Sequence, residues 1–187
     1  VAEALVRRRR VAAPHLEVDH LPLWTEELPP FDGPALAAKY ARLAGRGLDP
    51  LQAEAWSAIE GLVRRLDAAD EVLLSTPMWN LSVPYRLKHY IDLITQPGLT
   101  FRFEPEAGYT PLLRDRPVTI VVASSGDFAT GQSYGRPDLL TPYLRAALAF
   151  VGLRSVLFIS VAPTAGPPEA VDAAVARSLA QLAEPVA

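Results

Sequence analysis

The chain has 187 residues, of which 50% are hydrophobic and 21% charged, with a formal net charge of −3. That suits one domain around one core, is too apolar for a disordered chain, and offers no broad basic surface for nucleic acid or anionic lipid. The absence of cysteine excludes disulfides, thiolate metal ligands and a cysteine nucleophile, and no stretch approaches the roughly 20 apolar residues that cross a bilayer, so a cytoplasmic protein without membrane partners is expected.

Residues Val1 to Ala12 read as a helix, with the basic run Arg7 to Arg10 at its exposed, dipole-complementing end. Pro14 ends it before Leu16-Glu-Val-Asp-His-Leu21, whose alternation predicts a strand. Pro22, Pro29, Pro30 and Pro34 around Asp32-Gly33 predict a stiff loop, followed by a short helix from Ala35 to Ala44. Asp49-Pro50 pairs a capping carboxylate with a proline at the first helical position, and apolar spacing carries that helix to about Ala69.

Glu71 to Ser75 is a short continuous apolar run, as expected of a strand buried on both faces of a parallel sheet. Val83 to Thr95 repeats Leu87, Tyr90, Ile91 and Ile94 at helical spacing. After an irregular region from Gln96 to Arg116, the β-branched run Pro117 to Ala123 is the clearest strand. A helix opening at Thr141-Pro142, a strand at Val156 to Ile159 and a helix from Pro167 or Pro168 to before Pro185 complete the order. Strands alternating with helices predict an α/β chain with a parallel sheet and right-handed crossovers.

Ligands of such sheets bind beyond the carboxyl ends of the strands. Two loops there are unusual. Ser75 to Pro84 holds a Met, a Trp and an Asn between two prolines, and Ser124-Ser-Gly-Asp-Phe128 is a small polar turn whose glycine lets amides approach a ligand. No phosphate-loop, dinucleotide or nucleophile-elbow motif occurs. His15, His20 and His89 have no triad or metal spacing, and His89 reads as a structural residue. These loops would suit a flat conjugated cofactor; Met78 and Trp79 as core residues under a rigid turn is the equal alternative.

The segment Thr76-Pro-Met-Trp-Asn-Leu-Ser-Val-Pro-Tyr-Arg-Leu-Lys-His-Tyr-Ile-Asp-Leu93 resembles the flavin-binding segment of FMN-dependent NADH azoreductases and NAD(P)H:quinone oxidoreductases. Gly98 to Phe103, Ser124 to Phe128 and Tyr143 to Leu153 resemble further segments of that family in the same order, so the likeness extends from about Asp70 to Ile159. It implies a flavodoxin-like open sheet with helices on both faces, one FMN per subunit, NADH or NADPH as electron donor, a quinone or azo acceptor, and a homodimer with its slot at the subunit interface.

Carried over by residue, the resemblance puts Pro77, Met78, Trp79, Asn80 and Leu81 beside the isoalloxazine ring and Ser124, Ser125, Gly126 and Asp127 in the second flavin-contacting turn. Asp127 stands where many relatives have glycine, and its carboxylate is expected to point away from the ring or to bind a backbone amide. Phe103 and Phe150 fall at substrate-side aromatic positions, with core packing the other reading for both and an equal one for Phe150. No side-chain acid or base is demanded, because the flavin carries the chemistry.

Relatives open with a central strand and a serine-rich phosphate loop. Because this chain opens at Val1 within a helix, it is expected to lack both, as a truncated single domain or one whose start lies upstream. The rival readings are a flavodoxin-type electron carrier, whose surface would be more acidic than −3, and a fragment that binds no flavin.

Overall fold

The computed structural model describes residues 1–182. Its centre is a parallel sheet of three strands in the order β1 (Val72–Pro77), β4 (Val118–Ala123) and β7 (Val156–Val161). The register is even, with Leu74 beside Ile120 and Ile120 beside Phe158, so all three strands end at one level. Of these, β4 is the inner strand, buried along Val118 to Val122, as its β-branched run predicts.

One face of the sheet carries α3 (Pro50–Ala68), α4 (Tyr85–Ile94) and α5 (Leu140–Val151). Val63, Leu66, Leu87, Ile91, Leu144 and Leu148 from those helices meet Ile120 and Val122 in the main core. The other face packs Val121, Ile159 and Val161 against the start of α1 (Ala2–Ala12) and Val175 of α6 (Pro168–Gln181). A smaller cluster of Ala35, Ala38, Trp56, Ile59 and Leu93 joins α2 (Gly33–Leu43) to the outer side of α3. The doubly wound class expected from the alternation is therefore the one observed.

Local chemistry explains the element boundaries. Asp49 and Gln52 form a reciprocal capping box, each side chain accepting from the other's backbone N–H, at 2.9 and 3.3 Å, ahead of Pro50. Gly152 ends α5 at φ 118°, a conformation that a Cβ would strain. Arg116 is buried and donates to the carbonyls of Leu66, Asp67 and Ala69, closing the carboxyl end of α3 against the start of β4.

Several expectations need correction. Leu16 to Leu21 is not a strand; Leu16 to His20 is exposed coil, because no neighbouring strand supplies hydrogen bonds, and Arg65 instead ties down Asp19 and the His20 carbonyl. Pro34, assigned to a loop, lies in the first turn of α2, where a missing N–H costs nothing. The first strand runs on to Pro77 but is not buried on both faces: only Thr76 is buried and Ser75 is exposed, since β1 is an edge in the described sheet. The region read as irregular holds a hairpin, β2 (Phe101–Glu104) with β3 (Gly108–Pro111). A second small hairpin, β5 (Gln132–Ser133) with β6 (Arg136–Pro137), follows β4. Pro185 lies outside the described residues.

Candidate functional site

Two backbone bonds bring the unusual loops together. Met78 donates its N–H to the Ala123 carbonyl at 2.8 Å, and Ser124 donates to Val161 at 3.2 Å, so the ladder continues one residue past each strand before the chain turns outward. The loops after β1 and β4 thus leave the sheet side by side, at its carboxyl edge.

The first loop is a tight turn. Trp79 and Ser82 exchange both backbone hydrogen bonds, at 2.9 and 3.0 Å, around Asn80 at φ 48° and Leu81 at φ 72°. This is the left-handed two-residue turn that favours Asn-Gly. Leucine in the second place is strained by about 1–2 kcal/mol, and such strain concentrates where surrounding structure holds a site in shape. The Leu81 carbonyl accepts from Leu139 N at 3.0 Å, which fastens the turn to the start of α5.

In the second loop, Ser124 is buried and its Oγ donates to the Gly126 carbonyl at 2.8 Å. The N–H groups of Ser125, Gly126, Asp127 and Phe128 donate to no partner among the described residues. Of these four residues Ser125 and Asp127 are exposed and Phe128 is half-buried, whereas Gly126 is buried. Asp127 is exposed, and its Oδ1 accepts from Ala129 N at 2.9 Å, so its carboxylate is spent on its own loop.

Between these loops lies a cavity of about 450 Å³ lined by Met78, Asn80, Leu81, Ser124, Ser125, Phe128 and Arg136. Pockets for cofactors run from about 300 Å³ upward and combine apolar faces with a few polar groups. Here Met78, Leu81 and Phe128 are the apolar faces, and Asn80 with Ser124 and Ser125 is the polar edge. The donor set fits a planar heterocycle with carbonyl and ring-nitrogen acceptors, as FMN has. No cluster of His, Asp or Glu able to hold a metal ion occurs among the described residues.

The sequence-predicted residues divide in an informative way. Met78, Asn80, Leu81, Ser124 and Ser125 line this cavity. Trp79 does not: side chains alternate along extended backbone, and its ring turns to a neighbouring cleft of about 440 Å³ with Ser82, Val83, Pro84, Tyr85, Lys88 and Tyr143. Only Asn80 lines both spaces. Pro77 ends β1 opposite Ala123 beneath the cavity. Gly126 is buried behind the wall, where a Cβ would lie 2.6 Å from Ser133 Oγ and 2.7 Å from Arg136 Nη2.

Phe103 and Phe150 line neither cavity. They join Phe101 and Tyr109 in an aromatic group with centroids 4.8–5.8 Å apart, and Phe103 and Tyr109 remain 58% and 63% exposed. Core packing does not describe this patch. A second exposed group sets Trp24 5.1 Å from Trp79 and 5.7 Å from Tyr85; Arg86, which donates to the Leu23 and Glu26 carbonyls, holds Trp24 there.

Sequence reasoning did not single out Arg136 or the second cleft. Arg136 reaches the cavity because Tyr134 and Gly135, at φ 50° and 78°, fold the chain back; Tyr-Gly is a weak turn signal beside Asn-Gly. In the second cleft, burial pushes the Tyr143 hydroxyl up to about 12, reinforced by Asp92, so that hydroxyl stays protonated and able to donate at neutral pH.

Comparison with known proteins gives the family and the fold. The profile of the flavodoxin-like fold family matches residues 1–186. The FMN-dependent NADH:quinone oxidoreductase 1 of Bradyrhizobium diazoefficiens is 47% identical over 165 residues, 88% of this chain and 79% of the relative. The FMN-dependent NADH:quinone oxidoreductase of Ruegeria pomeroyi is 43% identical, covering 88% and 80%. Among solved structures, an azoreductase from Bacillus anthracis superposes with a TM-score of 0.85 at 24% identity, over 97% of this chain and 86% of that one. Azoreductase AzrA superposes at 0.84 and 25%, with the same coverage.

Proposed function

The chain belongs to the flavodoxin-like fold family, and we infer that it is an FMN-dependent NAD(P)H oxidoreductase that reduces quinones and azo compounds. Relatives at 47% and 43% identity are FMN-dependent NADH:quinone oxidoreductases. Bound FMN would supply the two-electron chemistry that links the nicotinamide to the acceptor. The observation that carries the assignment is the cavity shared by Met78, Asn80, Leu81, Ser124 and Ser125, with Asn80 and the serines as polar groups and apolar side chains on its faces.

In this reading Met78 and Leu81 pack on the ring, Asn80 and the Ser125 and Phe128 amides bind its polar edge, and Ser124 holds the second turn in shape. The protein contributes orientation and an electrostatic environment set before reaction, and no side-chain acid or base is required. NADH belongs to the cytoplasm, where we place the protein; no helix among the described residues is long and apolar enough to cross a membrane. The exposed group of Phe101, Phe103, Tyr109 and Phe150 is a patch suited to burial against a second copy, so we assign the working form as a homodimer whose acceptor slot is completed across the interface.

Anaerobic addition of NADH to FMN-loaded protein tests the assignment. Loss of the oxidised flavin absorbance, restored by one equivalent of a quinone, is expected. Flavin that stays oxidised, or that passes only single electrons, would make the protein an electron carrier.

A further inference from the structure

Among the described residues, Arg136 is the only charged side chain on the wall of the cavity. It has no carboxylate partner: none of the ion pairs among the described residues includes it, and Asp127 is engaged with its own loop. Its guanidinium is nevertheless held. Ser133 O accepts from Nε at 3.1 Å, the Phe128 ring lies 5.7 Å below the guanidinium carbon, and Gly126 leaves the space that Nη2 occupies. The left-handed turn at Tyr134 and Gly135 fixes the hairpin that presents it, and Gln132 Oε1 accepts from Gly135 N at 2.8 Å to close that turn.

A cation held over an aromatic ring, beside the unpartnered amides of Ser125 and Phe128 and without a counter-charge, is prepared for a planar anion. A flavin becomes such an anion when reduced, its negative charge spreading over N1 and the C2 carbonyl. We propose that Arg136 holds the pyrimidine edge of the reduced flavin and sets the potential at which the cofactor takes hydride, making up for the carboxylate that Asp127 brings to this turn. The inference rests on the FMN reading above and adds to it the residue that tunes the ring. Arg136 is solvent-exposed at the rim, and a ring seated in the cavity would cover it and strengthen its field.

Sulfite is a direct probe, because it adds its lone pair to flavin N5 while the displaced electron pair comes to rest at N1 and C2=O. In FMN-loaded Arg136→Gln the sulfite dissociation constant should rise about tenfold, and a tenfold change in the two-electron equilibrium lowers the midpoint potential by about 30 mV. Arg136→Lys should recover part of both. Gly126→Ala keeps the charge but displaces it, and should shift both in the same direction as Arg136→Gln; it carries the comparison if Arg136→Gln fails to retain flavin.

Sulfite affinity and potential within twofold and a few millivolts of the parent in flavin-loaded variants would overturn the proposal, even with FMN bound as expected. Weakened binding of FMN but not of riboflavin, with an unchanged potential, would assign Arg136 to the phosphate instead and would also overturn it. A parent protein that takes up no flavin would remove the FMN reading, and this proposal with it.

Discussion

Replacing Arg116 with methionine should cost about 3 kcal/mol of stability while leaving the flavin site intact. The side chain of Arg116 is 1% exposed. It donates to Arg114 O at 3.0 Å, Leu66 O at 3.1 Å, Asp67 O at 2.7 Å, Ala69 O at 2.6 Å and Asp67 Oδ1 at 2.6 Å. After substitution Leu66 O keeps the Ala69 N–H, and the half-exposed Asp67 carboxylate and the carbonyl of exposed Arg114 rehydrate. The carbonyls of Asp67 and Ala69 lose the donor that meets them, at roughly 1–3 kcal/mol each. Methionine returns part of this, since an apolar side chain has no desolvation cost. The balance, about 3 kcal/mol, corresponds to a fall in Tm of roughly 6–12 °C for a domain of this size. The cavity lies at the other end of β4, about 20 Å away at the rise of a strand, so FMN affinity of the folded variant should match the parent. Urea unfolding followed by circular dichroism gives the first quantity and flavin fluorescence titration the second. A stability loss below about 1 kcal/mol would refute the closure of α3 by Arg116.

Gly152→Ala should be destabilising by about 2–4 kcal/mol, because the new Cβ collides with the Leu113 carbonyl oxygen and φ is 118°; thermal unfolding reads it, and an unchanged Tm would contradict the α5 terminus. Asp115 accepts from Arg154 N, Ser155 N, Ser155 Oγ and Arg116 N, which lowers its carboxyl from 3.8 to about 2. A lowered folded value means stabilisation that is complete above about pH 4 and is lost as pH falls toward 2; the stability gap between the parent and Asp115→Asn should narrow over that interval in urea titrations, and a constant gap would contradict it. Ser125→Trp should fill the cavity from an exposed position and weaken FMN binding more than about 100-fold, close to 3 kcal/mol, with an unchanged far-ultraviolet spectrum. Undiminished binding would move the flavin elsewhere.

Much of this arrangement is legible in the residues. The β-branched run of β4 and the capping pair Asp49 and Gln52 follow local rules, and the prolines flanking Met78 to Ser82 mark a stiffened turn. The side of that turn on which each residue falls is not local information. Met78 and Trp79 are adjacent and equally suited to a flat ring, and only the alternation of the chain past Pro77 sends them to different spaces. The exposed coil at Leu16 to His20 alternates like a strand but lacks a neighbour to pair with, a tertiary condition that pattern does not contain. The β2 and β3 hairpin was hidden by prolines and glycines that read as irregular chain. Arg136 was hidden by distance: its place at the cavity depends on a turn without Asn-Gly and on the missing Cβ of Gly126, ten residues earlier.

The central claim is that the turns after β1 and β4 enclose a flavin, and a crystal structure of the protein with FMN tests it most directly. The ring should lie between Met78 and Leu81 on one side and the Ser124 to Phe128 turn on the other, with Arg136 at its pyrimidine edge. Flavin seated outside this cavity, or a cavity that the protein itself closes when FMN is present in excess, would contradict the account.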